Sequence, residues 1–188
     1  MLKWLTPDAY FDSIYDIDLN SLCSQGIEGL IIDLDNTLIP RDKKAVSDEL
    51  LTWFNDLEER GLRCCVLSNN LNSRGKAISK KINRPVIAMA KKPSRNAFKK
   101  ALEVLKTHPE KTVVIGDQIF TDVFGGRRMG LKTILVVPLS GKELFTTALV
   151  RQFERRLLKR LIKENRLQKN KKVEFGLEAR SDENNQSN

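Results

Sequence analysis

The apolar run that begins at Ile27 is interrupted only by Glu28 and stops at Asp33-Leu34-Asp35. On a β-strand successive side chains alternate faces, so Asp33 and Asp35 project together while Leu34 enters the opposite layer. A buried strand thus delivers paired acids to one edge of a sheet. Two carboxylates a few ångströms apart repel by roughly 4 kcal/mol at an effective dielectric near 20. A cation is expected between these acids and their substrate.

Downstream the chain alternates short apolar segments with amphipathic ones. Strands are predicted at about 27–34, 62–67, 86–88, 112–115 and 132–137. Helices are predicted at about 45–60, at 94–106 and at 121–129, with a further helix that starts after Ser68-Asn69-Asn70 and ends near Ile82. In the first of these Leu50, Trp53, Phe54 and Leu57 form an apolar stripe, and Gly61 ends it. Residues 1–26, with Trp4, Tyr10 and Phe11, are expected to pack on the sheet through a helix starting near Pro7. The pattern predicts an α/β fold, a parallel sheet with helices on both faces. The ligand crevice of such a sheet lies at the carboxyl ends of its strands. Asp33 and Asp35, Ser68, Lys92 and Asp117 each follow a different predicted strand, so all are expected at that one edge.

With 188 residues the chain can bury a sizeable core. No stretch approaches the roughly 20 apolar residues of a membrane span, and Asp8, Asp12, Asp16 and Asp18 are unlike a signal peptide, so a cytoplasmic location is expected, with peripheral membrane contact as an option. Cys23, Cys64 and Cys65 do not make a disulfide framework and read as small core residues. His108 reads as loop surface. The net charge of +9 suits nucleic acid, anionic lipid or a phosphorylated substrate.

Four segments together carry a resemblance: Asp33-Leu34-Asp35-Asn36-Thr37, Ser68-Asn69-Asn70, Lys92-Pro93, and Gly116-Asp117-Gln118-Ile119-Phe120-Thr121-Asp122. In order and spacing they resemble the motifs of the haloacid dehalogenase (HAD) superfamily of phosphatases, across residues 27 to about 138. With Lys91-Lys92-Pro93, the Gly125-Gly126 pair and the Trp4-Leu5 and Pro7-Asp8 opening, the chain is also similar to the subfamily IIIA, YqeG-like proteins. Those in turn are similar to mitochondrial and plastid phosphatidylglycerophosphate phosphatases. The resemblance implies a HAD-type, Rossmann-like core at residues 27–141.

It also implies a chemistry. Asp33 would be the nucleophile and form an aspartyl-phosphate; Asp35 would protonate the leaving alcohol and then deprotonate the attacking water. Mg²⁺ would be held by Asp33, the backbone carbonyl of Asp35 and Asp117, with Asp122 acting on the ion less directly. Ser68 and Asn69 would contact the phosphate, and Lys92 would neutralise it, with Lys91 as a rival. An aspartate at position 35 implies hydrolysis rather than dehalogenation.

Relatives with a cap domain insert it after the first motif or between the second and third. Here those intervals hold only a loop, two helices and two strands, so no cap domain is expected. Residues 142–172 are expected to be a basic amphipathic helical extension. Leu149, Val150, Phe153, Leu157 and Leu161 gather on one side, with Arg151, Arg155, Arg156, Lys159, Arg160 and Lys163 over the rest. Such a helix reads as interfacial; the other reading of its stripe is packing on its own domain. Residues 173–188 are expected to be a disordered tail. Dephosphorylation of phosphatidylglycerophosphate, a phospholipid headgroup, is the first functional expectation. A soluble phosphomonoester or phosphoprotein is an alternative within the same class. A basic protein bound to nucleic acid or the ribosome is the alternative of another class, disfavoured because Phe153 is the lone ring among those cations.

Overall fold

A computed structural model describes residues 2–43, 45–70, 73–139, 145–171, 173 and 175, with backbone alone for 73–77 and 145–149. Six strands form one sheet: β1 (Ala9–Phe11), β2 (Gly29–Asp33), β3 (Arg63–Leu67), β4 (Val86–Ile87), β5 (Thr112–Gly116) and β6 (Lys132–Val136). Their order is β1-β6-β5-β2-β3-β4, with every pairing parallel. The chain runs from β2 outward through β3 and β4, then returns to β5 on the other side of β2. That reversal makes the β2/β5 boundary the topological switch point, where an open sheet leaves a crevice.

Strands buried on both faces need apolar residues throughout, and Leu30, Ile31, Ile32, Val113, Val114 and Ile115 supply them. Leu30 and Ile32 pack into a layer with the helices α1 (Leu19–Ser24), α2 (Asp48–Glu59) and α3 (Ser73–Ile82). Ile31, Cys65, Leu67 and Val114 face the other layer, under Ala97, Phe98, Ala101 and Leu105 of α4 (Arg95–Leu105). A short α5 (Phe124–Arg127) follows β5, and α6 (Phe145–Lys163) adds Leu161 to a third cluster with Tyr10, Ile119 and Leu135. Burial pushes the Cys64 thiol up to about 11 and the Cys65 thiol up to about 12, so both are inert core groups.

The opening segment departs from expectation. In place of a helix from Pro7, Ala9–Phe11 is an edge strand beside β6, and the helix comes later, at Leu19–Ser24, with the Asp18 side chain accepting from Ser21 N at 3.1 Å. The C-terminal segment departs too. Lys169 bridges to Tyr10, and Asn170 N donates to Tyr10 O at 2.7 Å. Val173, expected in a disordered tail, is buried among the α1 layer, and its carbonyl accepts from Gln25 Nε2 at 2.8 Å. The expectation for 176–188 lies outside the described residues, as does the proposed boundary at 141/142.

Candidate active site

β2 ends at Asp33, and the next residues fold back at once. Asn36 takes a left-handed backbone conformation (φ 64°), and its N–H donates to Ile39 O at 2.9 Å. Its side-chain oxygen accepts from Arg41 N at 3.0 Å. The chain therefore turns tightly over 34–41, and the intervals to α2 and from Ser68 to Lys92 hold no cap domain among the described residues, the second containing only α3 and β4.

Across the switch point from Asp33, β5 ends at Gly116, and Asp117 follows it. A π-helical turn, Ile119–Val123, follows and carries Asp122 back toward Asp33. Asp122 N donates to Gln118 O at 3.0 Å, while Asp122 Oδ2 accepts from Gln118 N at 3.2 Å, so backbone and side chain close the same turn. This approach requires glycine at 116: a Cβ there would overlap the Asp122 carboxylate.

The carboxylates of Asp33, Asp117 and Asp122 come within 4.8 Å of one another, all buried. Lys92 Nζ pairs with Asp33 Oδ1 and donates to Asp122 Oδ1 at 2.7 Å. The Arg151 guanidinium pairs with Asp117 Oδ2 and donates to the Asp117 carbonyl at 2.6 Å. Three carboxylates against two fixed cations leave the cluster acidic. Burial pushes Asp33 well above the usual carboxylate range, Lys92 opposing the rise and Asp122 and Asp117 adding to it. Burial likewise lifts Asp117 to about 6, against the pull of Arg151. For Lys92 burial disfavours the charge, but Asp122 and Asp33 outweigh it and hold the ammonium form.

Asp35 stands apart from that cluster. Its Oδ2 accepts from Ser68 Oγ at 3.0 Å and from Asn70 Nδ2 at 2.7 Å. Asn69, expected on the phosphate, instead clamps the lysine backbone: Lys92 N donates to Asn69 Oδ1 at 2.6 Å, and Asn69 Nδ2 donates to Lys92 O at 3.1 Å. Asp33, Asp35, Asn69, Asn70, Lys92, Arg41 and Gln118 line one small cavity of about 50 Å³. Lys91, the rival, precedes the cis Lys92–Pro93 bond with a left-handed backbone (φ 56°).

Three oxygen donors converging at one buried point are suited to Mg²⁺, a hard cation that prefers oxygen ligands. Asp117 Oδ1 supports the fit, being buried and without a hydrogen-bond partner among the described residues. The sequence reading did not identify Asn70 or Glu154, and it placed Arg151 on an exposed basic face. Glu154 Oε1 accepts from Phe120 N at 2.9 Å, and burial lifts its carboxyl to about 7.

Comparison with known proteins agrees with this geometry. Residues 89–149 match the HAD-hydrolase-like family model. The chain is 39% identical over 166 residues to the probable phosphatase YqeG of Bacillus subtilis, covering 88% of this chain and 96% of that one. It is 29% identical over 176 residues to phosphatidylglycerophosphate phosphatase 1, chloroplastic/mitochondrial, of Arabidopsis thaliana, covering 86% of this chain and 49% of that protein. A crystal structure of an uncharacterized protein from Listeria monocytogenes serotype 4b shares the fold at a TM-score of 0.50 and 17% identity, over 63% of this chain and 85% of that one. The buried acids at the switch point, the four motifs and the near full-length match lead to one assignment: this chain belongs to the YqeG-like family of HAD phosphatases, hydrolases of phosphoric monoesters.

Proposed function

We propose that the protein is a Mg²⁺-dependent phosphatase that works through an aspartyl-phosphate on Asp33 and acts on the phosphomonoester of a phospholipid headgroup, phosphatidylglycerophosphate before others. The observation that carries the chemistry is the convergence of Asp33, Asp117 and Asp122 around Lys92 at the carboxyl edge of the sheet. Asp33, Asp117 and Asp122 would hold the ion, which when bound supplies charge neutralisation to the phosphate oxygens.

The chain's own groups account for the rest. Lys92 occupies one oxygen of Asp33, leaving the other carboxylate oxygen to attack phosphorus. The ester P–O bond breaks as the new bond to Asp33 forms, and Asp35 passes its proton to the departing alkoxide. Asp35 then takes a proton from water, which attacks the aspartyl-phosphate and releases phosphate and Asp33. Ser68 and Asn70 hold the Asp35 carboxylate in one orientation through both steps. Asn69 supports Lys92 from behind.

A lipid substrate is supported by form and charge. The cavity has room for a phosphate and little more, and no cap covers it among the described residues, so a large leaving group can remain outside. The outer face of α6 carries Arg155, Arg156, Lys159, Arg160 and Lys163, with Phe153 and Ile162 at its margins, 54% and 42% exposed. The Arg156 guanidinium lies over the Phe153 ring at 5.9 Å. Cations interleaved with exposed apolar groups complement an anionic bilayer surface. No helix among the described residues is long and apolar enough to cross a membrane.

The test is phosphate release with Mg²⁺ from phosphatidylglycerophosphate in micelles, beside soluble esters and a phosphopeptide. Asp33→Asn is expected to abolish release while leaving the fold unchanged by circular dichroism. Turnover retained in that variant removes Asp33 as nucleophile, and equal kcat/KM on lipid and soluble esters removes the lipid assignment.

A further inference from the structure

Helical spacing places Arg151 among the surface cations of α6, yet it is one of the most enclosed charges in the molecule, 5% exposed. Its fork grips Asp117 at two points, the side chain and the carbonyl. One turn further on, Glu154, equally enclosed, lies 3.7 Å from the same guanidinium and accepts from Phe120 N at 2.9 Å. Arg151 and Glu154 thus reach both arms of the 116–123 loop, one through Asp117 and the other through the π-helical turn that carries Asp122.

Docking of the helix does not explain this arrangement. Leu161 is fully buried beside Ile119 and Leu135, with Leu157 and Leu158 packed on the same cluster, so an apolar anchor already exists. An enclosed guanidinium carries a desolvation penalty that a leucine would avoid. What a planar fork provides is control over a carboxylate's rotation, which a lysine point charge does not. With Oδ2 held by Arg151, the oxygen of Asp117 left without a partner among the described residues is Oδ1.

We propose that Arg151 is a positioning residue that sets the Asp117 carboxylate for the divalent ion, with Glu154 as its brace. The helix that follows the last strand is then a working part of the phosphatase centre. This rests on the reading of Asp33, Asp117 and Asp122 as the Mg²⁺ site.

The experiment is Mn²⁺ titration of the full chain followed by electron paramagnetic resonance, with the Mg²⁺ dependence of phosphate release measured in parallel. Arg151→Gln and Arg151→Lys are expected to weaken Mn²⁺ binding by about 10- to 100-fold, the usual effect of losing a partner that orients a metal ligand. The Mg²⁺ concentration for half-maximal rate should rise in step, while KM for the ester at saturating Mg²⁺ changes little. Leu161→Ala, which loosens α6 without touching the fork, is expected to lower thermal stability and leave Mn²⁺ affinity unchanged. If Arg151→Gln fails to fold, Arg151→Lys decides the matter. Mn²⁺ affinities within twofold of wild type in the Arg151 variants overturn the inference, as does a loss in Leu161→Ala equal to theirs. A wild-type protein that binds no Mn²⁺ overturns the metal site itself, and this role with it.

Discussion

Lys92 Nζ and Asp122 Oδ1 stand 2.7 Å apart in the buried floor of the site, and the same ammonium also pairs with Asp33. That one charge compensates both buried carboxylates. Removing one partner of a buried ion pair costs about 3–5 kcal/mol, because the other is left uncompensated. Lys92→Ala is therefore expected to lower the thermal midpoint by roughly 10 °C and to abolish phosphate release. Scanning calorimetry and a phosphate-release assay check the two effects. An active Lys92→Ala variant would remove this lysine from the chemistry.

Gly116 offers a test of geometry with no change of charge. Its missing side chain is the space into which Asp122 turns, so Gly116→Ala pushes the Asp122 carboxylate away from Asp33. A displacement on the ångström scale at a phosphoryl-transfer site is worth about 100-fold in rate. Gly125→Ala is the control: its Cβ would overlap the Phe98 ring in the core and is expected to lower stability chiefly. Steady-state rates and melting curves for both variants distinguish the two outcomes.

The acid cluster predicts an unusual dependence of stability on pH. Burial lifts Glu154 to about 7, Asp117 to about 6 and Asp33 well above the usual range, whereas in the unfolded chain each titrates near 4. Between the two values the folded protein holds protons that the unfolded chain has released, so stability is greatest on the acid side and falls as pH rises toward 7. The shifts of Glu154 and Asp117 are each worth on the order of 3 kcal/mol. The midpoint of EDTA-treated protein is expected to fall by roughly 5 °C or more between pH 5 and pH 7. Mg²⁺, which requires the deprotonated acids, should reverse the trend. Glu154→Gln should flatten the slope measured without metal, and a slope that rises with pH would contradict the burial argument.

The outer face of α6 can be tested apart from the chemistry. Reversing Arg156, Lys159 and Lys163 to Glu removes three attractive charges, each worth about 1 kcal/mol at an anionic surface. Sedimentation with vesicles of phosphatidylglycerol and phosphatidylcholine is expected to weaken by about 100-fold or more at 0.1 M salt, with hydrolysis of a soluble ester unchanged. Retention on RNA with none on vesicles would direct that face to nucleic acid instead.

The central strands could be read from sequence because a parallel strand covered on both faces must be apolar along its length, and three of these runs, β2, β3 and β5, lead directly into residues of the site. β1 could not be read that way. Ala9-Tyr10-Phe11 is too short to show a period, and its place beside β6 is a contact across more than a hundred residues. Arg151 was illegible for an electrostatic reason. Apolar spacing alone centres the buried face of α6 near Phe153 and Leu157, but the Asp117 carboxylate draws Arg151 inward, and the helix rolls until Phe153 is exposed. In Ser68-Asn69-Asn70 the motif marks the place, while the turn geometry decides which asparagine meets Asp35 and which supports Lys92.

The cavity that Asp33 lines is scarcely larger than a phosphate. Under the proposed function, bond cleavage falls to charges locked in the interior and choice of substrate to side chains outside that cavity. Such a division leaves the surface free to change its ligand during evolution without retuning the machinery beneath, and it makes the rim, rather than the pocket, the place to engineer new selectivity.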